Sequence, residues 1–359
     1  MAKIKNKKTV ALLVLTYNCE KLIKECLGSI LNQNYKNFQV FVIDNCSTDK
    51  TVFLIKKYYP QVKLIENPKN FGVGKGFNET IKAVLKKFDY ICFFNHDVKS
   101  EKNCLKELVN TLNNHPEVEI CTSLTLDWKG EKVDNAGGTI VNLFSGIISG
   151  FLGDLQAKEI PSQYRKDEFP VLFGIATAML VRPSAFEKFG FYDEDYFMYF
   201  EEIDFSWRVV LGGGKILCNP KAIAYHYGHG AKVSKKISLK VLQQTETNLL
   251  ATYVKNLSLS SLIIVLPVLL FIRLFMSLFY LPISPKITWR KISGIGSFLG
   301  KLFSGQYRKQ RRFVSLIRKL SDWQVFSLNP TPIISFKPIF SFMGNWFKTV
   351  KKIYKKNED

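Results

Sequence analysis

The sequence predicts an α/β protein built round a mostly parallel sheet, followed by a helical extension at its carboxyl end. Three observations predict it: short β-branched apolar runs alternate with helically spaced segments over the first 125 residues, polar clusters follow those runs, and the composition changes sharply after residue 255.

Thr9–Leu15 (TVALLVL) is a buried-strand signal ending in Thr16-Tyr17-Asn18. Glu20–Leu31 places Leu22, Ile23, Cys26, Leu27, Ile30 and Leu31 at helical spacing. Gln39–Ile43 reads as a second strand, stopped by Asp44-Asn45, and Asp49–Tyr59 as a helix ended by Pro60. Val62–Ile65 is a third strand, Gly76–Phe88 a helix, and Tyr90–Phe94 a fourth strand running into Asn95-His96-Asp97. Asn103–Leu112 and Glu119–Thr125 add a helix and a strand. Residues 135–170 are irregular and rich in Gly and Ser, as in a long loop; Val171–Val181 is apolar and small. In such sheets ligands bind beyond the carboxyl ends of strands, where the polar clusters fall.

The 359 residues allow one large domain and an appendage, set here as 1–255 and 256–359. The net charge is +21, and residues 286–359 hold sixteen Lys and Arg against three acids. That asymmetry calls for an anionic partner, nucleic acid or an acidic membrane. Leu257–Ile283 is 27 residues long and almost wholly apolar, interrupted by Pro267 and Arg273. It exceeds the roughly 20 residues a spanning helix needs. A helix that spans, one that re-enters, and one lying in the interface all fit, Arg273 being costly in a bilayer centre. Trp289, Trp323 and Trp346 interleave with Arg311-Arg312 and Lys351-Lys352, a headgroup pattern that favours membrane over nucleic acid. Seven scattered cysteines lack metal spacing, and MAKIKNKK lacks the apolar stretch of a signal peptide; both point to the cytoplasm.

Five clusters can carry chemistry. Asn95-His96-Asp97 offers oxygen to a hard cation, or is simply a strand-to-loop turn. Asp44 can accept from a nucleobase N–H, while Ser47 or Thr48 reads as the cap of the next helix. Asn70 to Asn78 holds Gly72, Gly74, Lys75 and Gly76; it matches neither a P-loop nor a dinucleotide fingerprint, but lets backbone approach an anion. Glu201, Glu202 and Asp204 crowd together among large aromatics, which raises at least one proton affinity and suits a general base, the alternative being an exposed acidic helix start. His226, with His229 after it, can complete a metal site or serve the fold.

In this order the pieces resemble family 2 glycosyltransferases, in particular the rhamnosyltransferase-like branch of bacterial surface-polysaccharide synthesis. The matching elements are Thr16-Tyr17-Asn18; Asp44-Asn45-x-Ser47-Thr48-Asp49; Asn70-x-Gly72 through Asn78; Asn95-x-Asp97; Gly174 with Met179-Leu180-Val181-Arg182; Gly190-Phe191-Tyr192-Asp193-Glu194; Tyr199-Phe200-Glu201-Glu202-x-Asp204; and His226. They cover about residues 9–255. The resemblance implies a GT-A fold and an inverting transfer of a sugar, rhamnose being the candidate, from a dTDP- or UDP-linked donor to a lipid-linked glycan at the cytoplasmic face of a bacterial membrane. It implies a divalent cation, Mn²⁺ or Mg²⁺. Thr16, Tyr17, Asn18, Asp44, Asn45, Asn70, Gly72, Lys75, Asn78 and Asn95 would bind the nucleotide-sugar; Asp97 and His226 would hold the metal. Glu202 would be the base, with Glu201 and Asp204 beside it. The chain departs from the family in having Glu201-Glu202 where Glu-Asp is usual, and Tyr227-Gly228-His229 after His226, so that Glu201 and His229 are alternatives for those two roles.

Overall fold

The computed structural model describes residues 7–140, 148–228 and 239–328. Two compact units form. The first comprises Met1–Gly138, Gly150–Phe197 and Glu201–Ser234; the second comprises Thr139–Ser149, Met198–Phe200 and Lys235–Asp359. The expected boundary at 255 therefore cuts through the second unit, since the helix starting at Leu239 groups with the carboxyl-terminal helices.

The first unit alternates strands and helices as the hydrophobic pattern requires: β1 (Val10–Thr16), α1 (Ile23–Leu31), β2 (Phe38–Asp44), α2 (Thr51–Tyr58), β3 (Lys63–Glu66), α3 (Val73–Val84), β4 (Tyr90–Asn95), β5 (Val98–Ser100), α4 (Cys104–Asn114) and β6 (Val118–Asp127). The stretch read as one long loop instead contains short strands: β7 (Val133–Asn135), β8 (Gly138–Ile140), β9 (Ile148–Gly150) and β10 (Phe169–Pro170). Strands of two or three residues are too short to show a period of two. Then follow β11 (Ala178–Val181), α5 (Pro183–Phe189), α6 (Glu201–Leu211) and β12 (Lys215–His226).

The main sheet runs β10-β12-β6-β11-β4-β1-β2-β3, with β5 on β12 and β7 on β6. β1 is parallel to β2 and β4, β2 to β3, and β6 to β12; β11 lies antiparallel between β4 and β6. This reversal leaves the carboxyl ends of β1, β2, β4, β6 and β12 on the same rim, beside the amino end of β11; β10, β5 and β7 are likewise antiparallel to their partners. Val10 to Val14 are all fully buried, as a sheet covered on both faces demands.

The second unit contains α7 (Leu239–Asn256), α8 (Leu259–Leu278), α9 (Pro285–Phe303), α10 (Arg308–Ile317) and α11 (Asp322–Ser327). α7 packs closely on α9: a Cβ at Gly294 would stand 2.6 Å from the Gln243 carbonyl oxygen. α8 runs unbroken through Pro267. It is the one described helix long and apolar enough to cross a bilayer, by length and composition. Its Leu262, Val265, Leu269, Arg273 and Met276 are buried, whereas Leu259, Ile263, Ile264 and Phe271 are 65–69% exposed. The Arg273 charge that looked costly is met inside the unit, its Nε donating to Glu246 Oε2 at 2.8 Å, with Lys291 on the same carboxylate. Trp289 and Trp323 are exposed; Trp346 and Lys351-Lys352 lie outside the described residues.

Candidate functional site

The rim has two halves. In the first, β1 and β2 end side by side, Thr16 opposite Asp44. Asp44 is 2% exposed, and its carboxylate accepts from Thr16 Oγ1 at 3.0 Å, Ser47 N at 2.8 Å and Ser47 Oγ at 2.5 Å. Of about four acceptor directions on a carboxylate, three are thus used within the protein. The cap expected at Ser47 or Thr48 does not form: α2 begins later, at Thr51, and Ser47 turns back to Asp44. Asn18, in a left-handed conformation (φ 48°), accepts from Thr48 N at 2.8 Å, and its own N–H donates to Ser47 Oγ at 2.9 Å. Asn45 is buried, donating to the Gly72 carbonyl at 2.9 Å and accepting from Asn67 at 2.9 Å. Tyr17 is left exposed above this knot.

The Gly-rich segment packs closely against the chain that follows β11 and α5. Gly72 has φ 77°, and a Cβ there would stand 2.2 Å from the Phe197 carbonyl oxygen. Asn70 accepts from Gly72 N at 2.9 Å. Asn78 is buried, donating to the Tyr192 carbonyl at 2.9 Å and to Glu194 at 3.1 Å; the exposed Lys75 lies 3.7 Å from Glu194. The segment 70–78 thereby braces the acidic, aromatic segment beginning at Gly190.

In the second half, β4 ends at Asn95, beside Leu15 of β1. Asp97 follows, 8% exposed, and β5 then pairs with β12 so that Val98 faces His226. His226 Nε2 stands 3.3 Å from Asp97 Oδ2, and its Nδ1 3.0 Å from Asp134 Oδ2. Burial alone would lower the His226 pKa, but hydrogen bonds to Asp134 and Asp97 outweigh it and push it up to about 10. A carboxylate on the far nitrogen fixes the ring so that Nε2 faces Asp97, as second-shell carboxylates do for metal-binding imidazoles. At that pKa the ring carries both protons and donates to both carboxylates; loss of the Nε2 proton would leave an oxygen donor at Asp97 and a nitrogen donor at His226, which fit a divalent cation. No group of three His, Cys, Asp or Glu side chains is placed to hold a metal ion by itself among the described residues, so ligand oxygens would complete such a shell. His229 lies outside the described residues.

α6 opens on the same rim. Tyr199 (φ 66°) and Phe200 (φ 77°), both left-handed, precede it, a costly conformation for bulky residues. Glu201 is 4% exposed, and burial together with the Glu202 charge holds its carboxyl well above the ordinary range. Glu202, half-buried, is also raised by burial, though the hydrogen bond from Glu201 and the Ala176 backbone favour its ionised form. Ala176 lies just before β11, whose Ala178 is opposite Phe94 of β4, so Glu202 reaches the same rim as Asp97. The desolvating wall is aromatic: Tyr192 packs at 5.7 Å on Phe93 and 5.5 Å on Phe205, which stacks at 4.7 Å on Phe186. Asp204 follows on the same helix. It has no exposed surface and takes Arg208 Nε at 3.0 Å, while Arg208 also donates to the Phe191 carbonyl at 2.8 Å. Through Arg208 it ties α6 to the Gly190 segment.

The structure thus brings Asp44, Asp97, His226, Glu201 and Glu202 to one rim. Sequence reasoning missed Asp134, 92 residues from its partner His226 and without a motif of its own, and Arg208 as the partner of Asp204.

A profile described as "Glycosyl transferase family 2" matches residues 11–190. The chain is 26% identical over 228 residues to an N-acetylglucosaminyl-diphospho-decaprenol L-rhamnosyltransferase of Mycobacterium tuberculosis, covering 59% of this chain and 74% of that one. It is 26% identical over 228 residues to the rhamnosyltransferase WbbL of Escherichia coli, covering 61% and 84%. Among solved structures it is similar to the mannosyltransferase PcManGT from Pyrobaculum calidifontis, in complex with GDP-Man and Mn²⁺, with TM-score 0.50, 14% identity and coverage of 87% and 86%. That likeness bears on the fold, a GT-A fold with a mixed, mostly parallel sheet.

Proposed function

This chain belongs to glycosyl transferase family 2 and is a glycosyltransferase, and on that premise we propose that it moves rhamnose from a nucleotide-diphosphate donor to a hydroxyl of a lipid-linked glycan, with inversion. The observation that carries the proposal is the Glu201–Glu202 pair, whose protonation is displaced upward on the rim that also holds Asp97 and His226.

Each residue has a part. Tyr17 offers an exposed ring to the nucleobase, and Asp44 its remaining acceptor direction. Asp97 and His226 would hold the divalent cation, Mn²⁺ or Mg²⁺, which when bound neutralises charge on the departing diphosphate. Glu202 takes the acceptor hydroxyl's proton as that oxygen attacks the anomeric carbon. A carboxylate with a raised pKa binds that proton better than an ordinary one. Glu201, neutral, donates to Glu202 and holds it in place. A single displacement inverts the anomeric centre. The helical unit would seat the enzyme on the cytoplasmic face of an anionic membrane, its exposed Leu259, Ile263, Ile264 and Phe271 entering the acyl boundary and Trp289 and Trp323 the headgroups.

The test is transfer from a panel of dTDP- and UDP-sugars to membrane-extracted lipid-linked acceptors with Mn²⁺ or Mg²⁺. The proposal expects dTDP-rhamnose to lead and both Glu202→Gln and Asp97→Ala to be inactive. Full transfer by both variants would refute the roles assigned to them.

A further inference from the structure

The β5–β12 ribbon has a second face. Lys99 is opposite Tyr225 in that antiparallel pair, next to Val98 opposite His226. Side chains alternate along a strand, so Tyr225 points away from the face that carries His226. On Tyr225's face lies a cleft of about 510 Å³, lined by Lys99, Lys129, Glu25, Glu101, Trp128 and Tyr225 among others. Its size falls within the roughly 300–1,000 Å³ of small-ligand sites.

The walls are fixed. The Lys99 ammonium stands 4.3 Å from the Trp128 ring centroid and 5.4 Å from that of Tyr225. Tyr225 Oη donates to Glu101 at 2.7 Å, and Trp128 packs edge-on against Tyr227 at 5.3 Å. The charges cancel: two lysines face two glutamates, in a chain whose net charge is +21. An anion would meet carboxylates as often as ammonium groups. A purely apolar ligand would desolvate all four charges without pairing them. A neutral polyhydroxylated ring meets the whole set: its C–H faces lie on aromatic rings, while its hydroxyls donate to carboxylates and accept from ammonium groups.

We propose that this cleft is a docking site for a neutral saccharide segment, on the opposite face of the ribbon from the Asp97–His226 pair. In the reading above, the segment is a part of the acceptor glycan remote from the reacting hydroxyl; that identification alone rests on that reading.

The experiment is binding, without donor or metal, of neutral tetra- to hexasaccharides of rhamnose, N-acetylglucosamine and galactose to the full chain, by calorimetry and tryptophan fluorescence. At least one is expected to bind, with affinity falling about tenfold or more in Trp128→Ala and measurably in Glu101→Gln, a surface change that spares the fold. Asp97→Ala should bind as the parent does, which separates this site from the donor site: binding with no transfer would sink the proposed function and leave this one standing. The inference is overturned if no saccharide binds, if Trp128→Ala binds undiminished, if Asp97→Ala abolishes binding, or if inorganic phosphate displaces the sugar.

Discussion

The two halves of the rim treat their polar groups in opposite ways. Around β1 and β2, Asp44, Asn45 and Asn18 are laced to Thr16, Ser47, Thr48, Asn67 and Gly72 with ordinary hydrogen bonds. Around β4, β12 and α6, carboxylates and an imidazole are buried with displaced proton affinities, and Glu201 Oε2 has no hydrogen-bond partner among the described residues. A saturated network gives a rigid wall for a ligand to rest on. A strained one stores free energy that chemistry can use. Residues of the first half should therefore matter to stability and donor affinity together, and the two glutamates of the second to turnover.

The largest effect that would sharpen this contrast is at Glu202. Glu202→Gln should lower kcat by about 10²–10⁴ while leaving the melting temperature unchanged or higher, because a desolvated carboxyl is removed. A melting point lowered by many degrees would break the contrast. Asp44→Ala should do the reverse: with three hydrogen bonds gone and their donors left buried, it should cost about 2–4 kcal/mol in stability and raise the donor KM, with kcat far less affected. Denaturant titration and steady-state kinetics on one preparation check both.

A smaller effect separates the two glutamates. Turnover requires ionised Glu202, so activity should fall as pH drops through its pKa, which lies above the ordinary glutamate value. Glu201 donates to Glu202 and so lowers that pKa. Glu201→Ala removes the donor and should move the acid limb of kcat/KM to higher pH; Glu201→Gln keeps a donor and should leave the limb near its original position. An unmoved limb in the alanine variant would show that the pair does not act together. The smallest effect is expected at Lys75, whose pair with Glu194 is about half exposed on both sides: Lys75→Ala should change stability by less than about 1 kcal/mol. A large loss of donor affinity there would return Lys75 to the binding role its motif suggested.

The fold was legible because β1, β2 and β4 are apolar enough to be buried on both faces, and their ends are marked by Thr16, Asp44 and Asn95. The placement of Asp97 and Glu202 on the rim was legible for the same reason, one following an apolar strand and the other lying among aromatic residues. What could not be read were partnerships made by the chain's return. Asp134 reaches His226 only because β7 pairs β6 next to β12, and Gly72 is glycine because Phe197 crosses it. Arg273 gave a misleading signal: its cost in an apolar run assumed no partner, and Glu246 of α7 supplies one. The salt bridge of Asp204 to Arg208, four residues on, was not read from the spacing of the acidic cluster.

Asp97 and His226 are proposed to hold a cation-bound diphosphate on the rim where Glu202 waits for the acceptor. Calorimetric titration of dTDP and of UDP into the full chain, with and without Mn²⁺, tests it most directly. Tight, Mn²⁺-dependent nucleotide binding is expected in the parent and in Glu202→Gln, and its loss in both Asp97→Ala and His226→Ala. Nucleotide binding in Asp97→Ala that stays as tight and as dependent on Mn²⁺ as in the parent would contradict it.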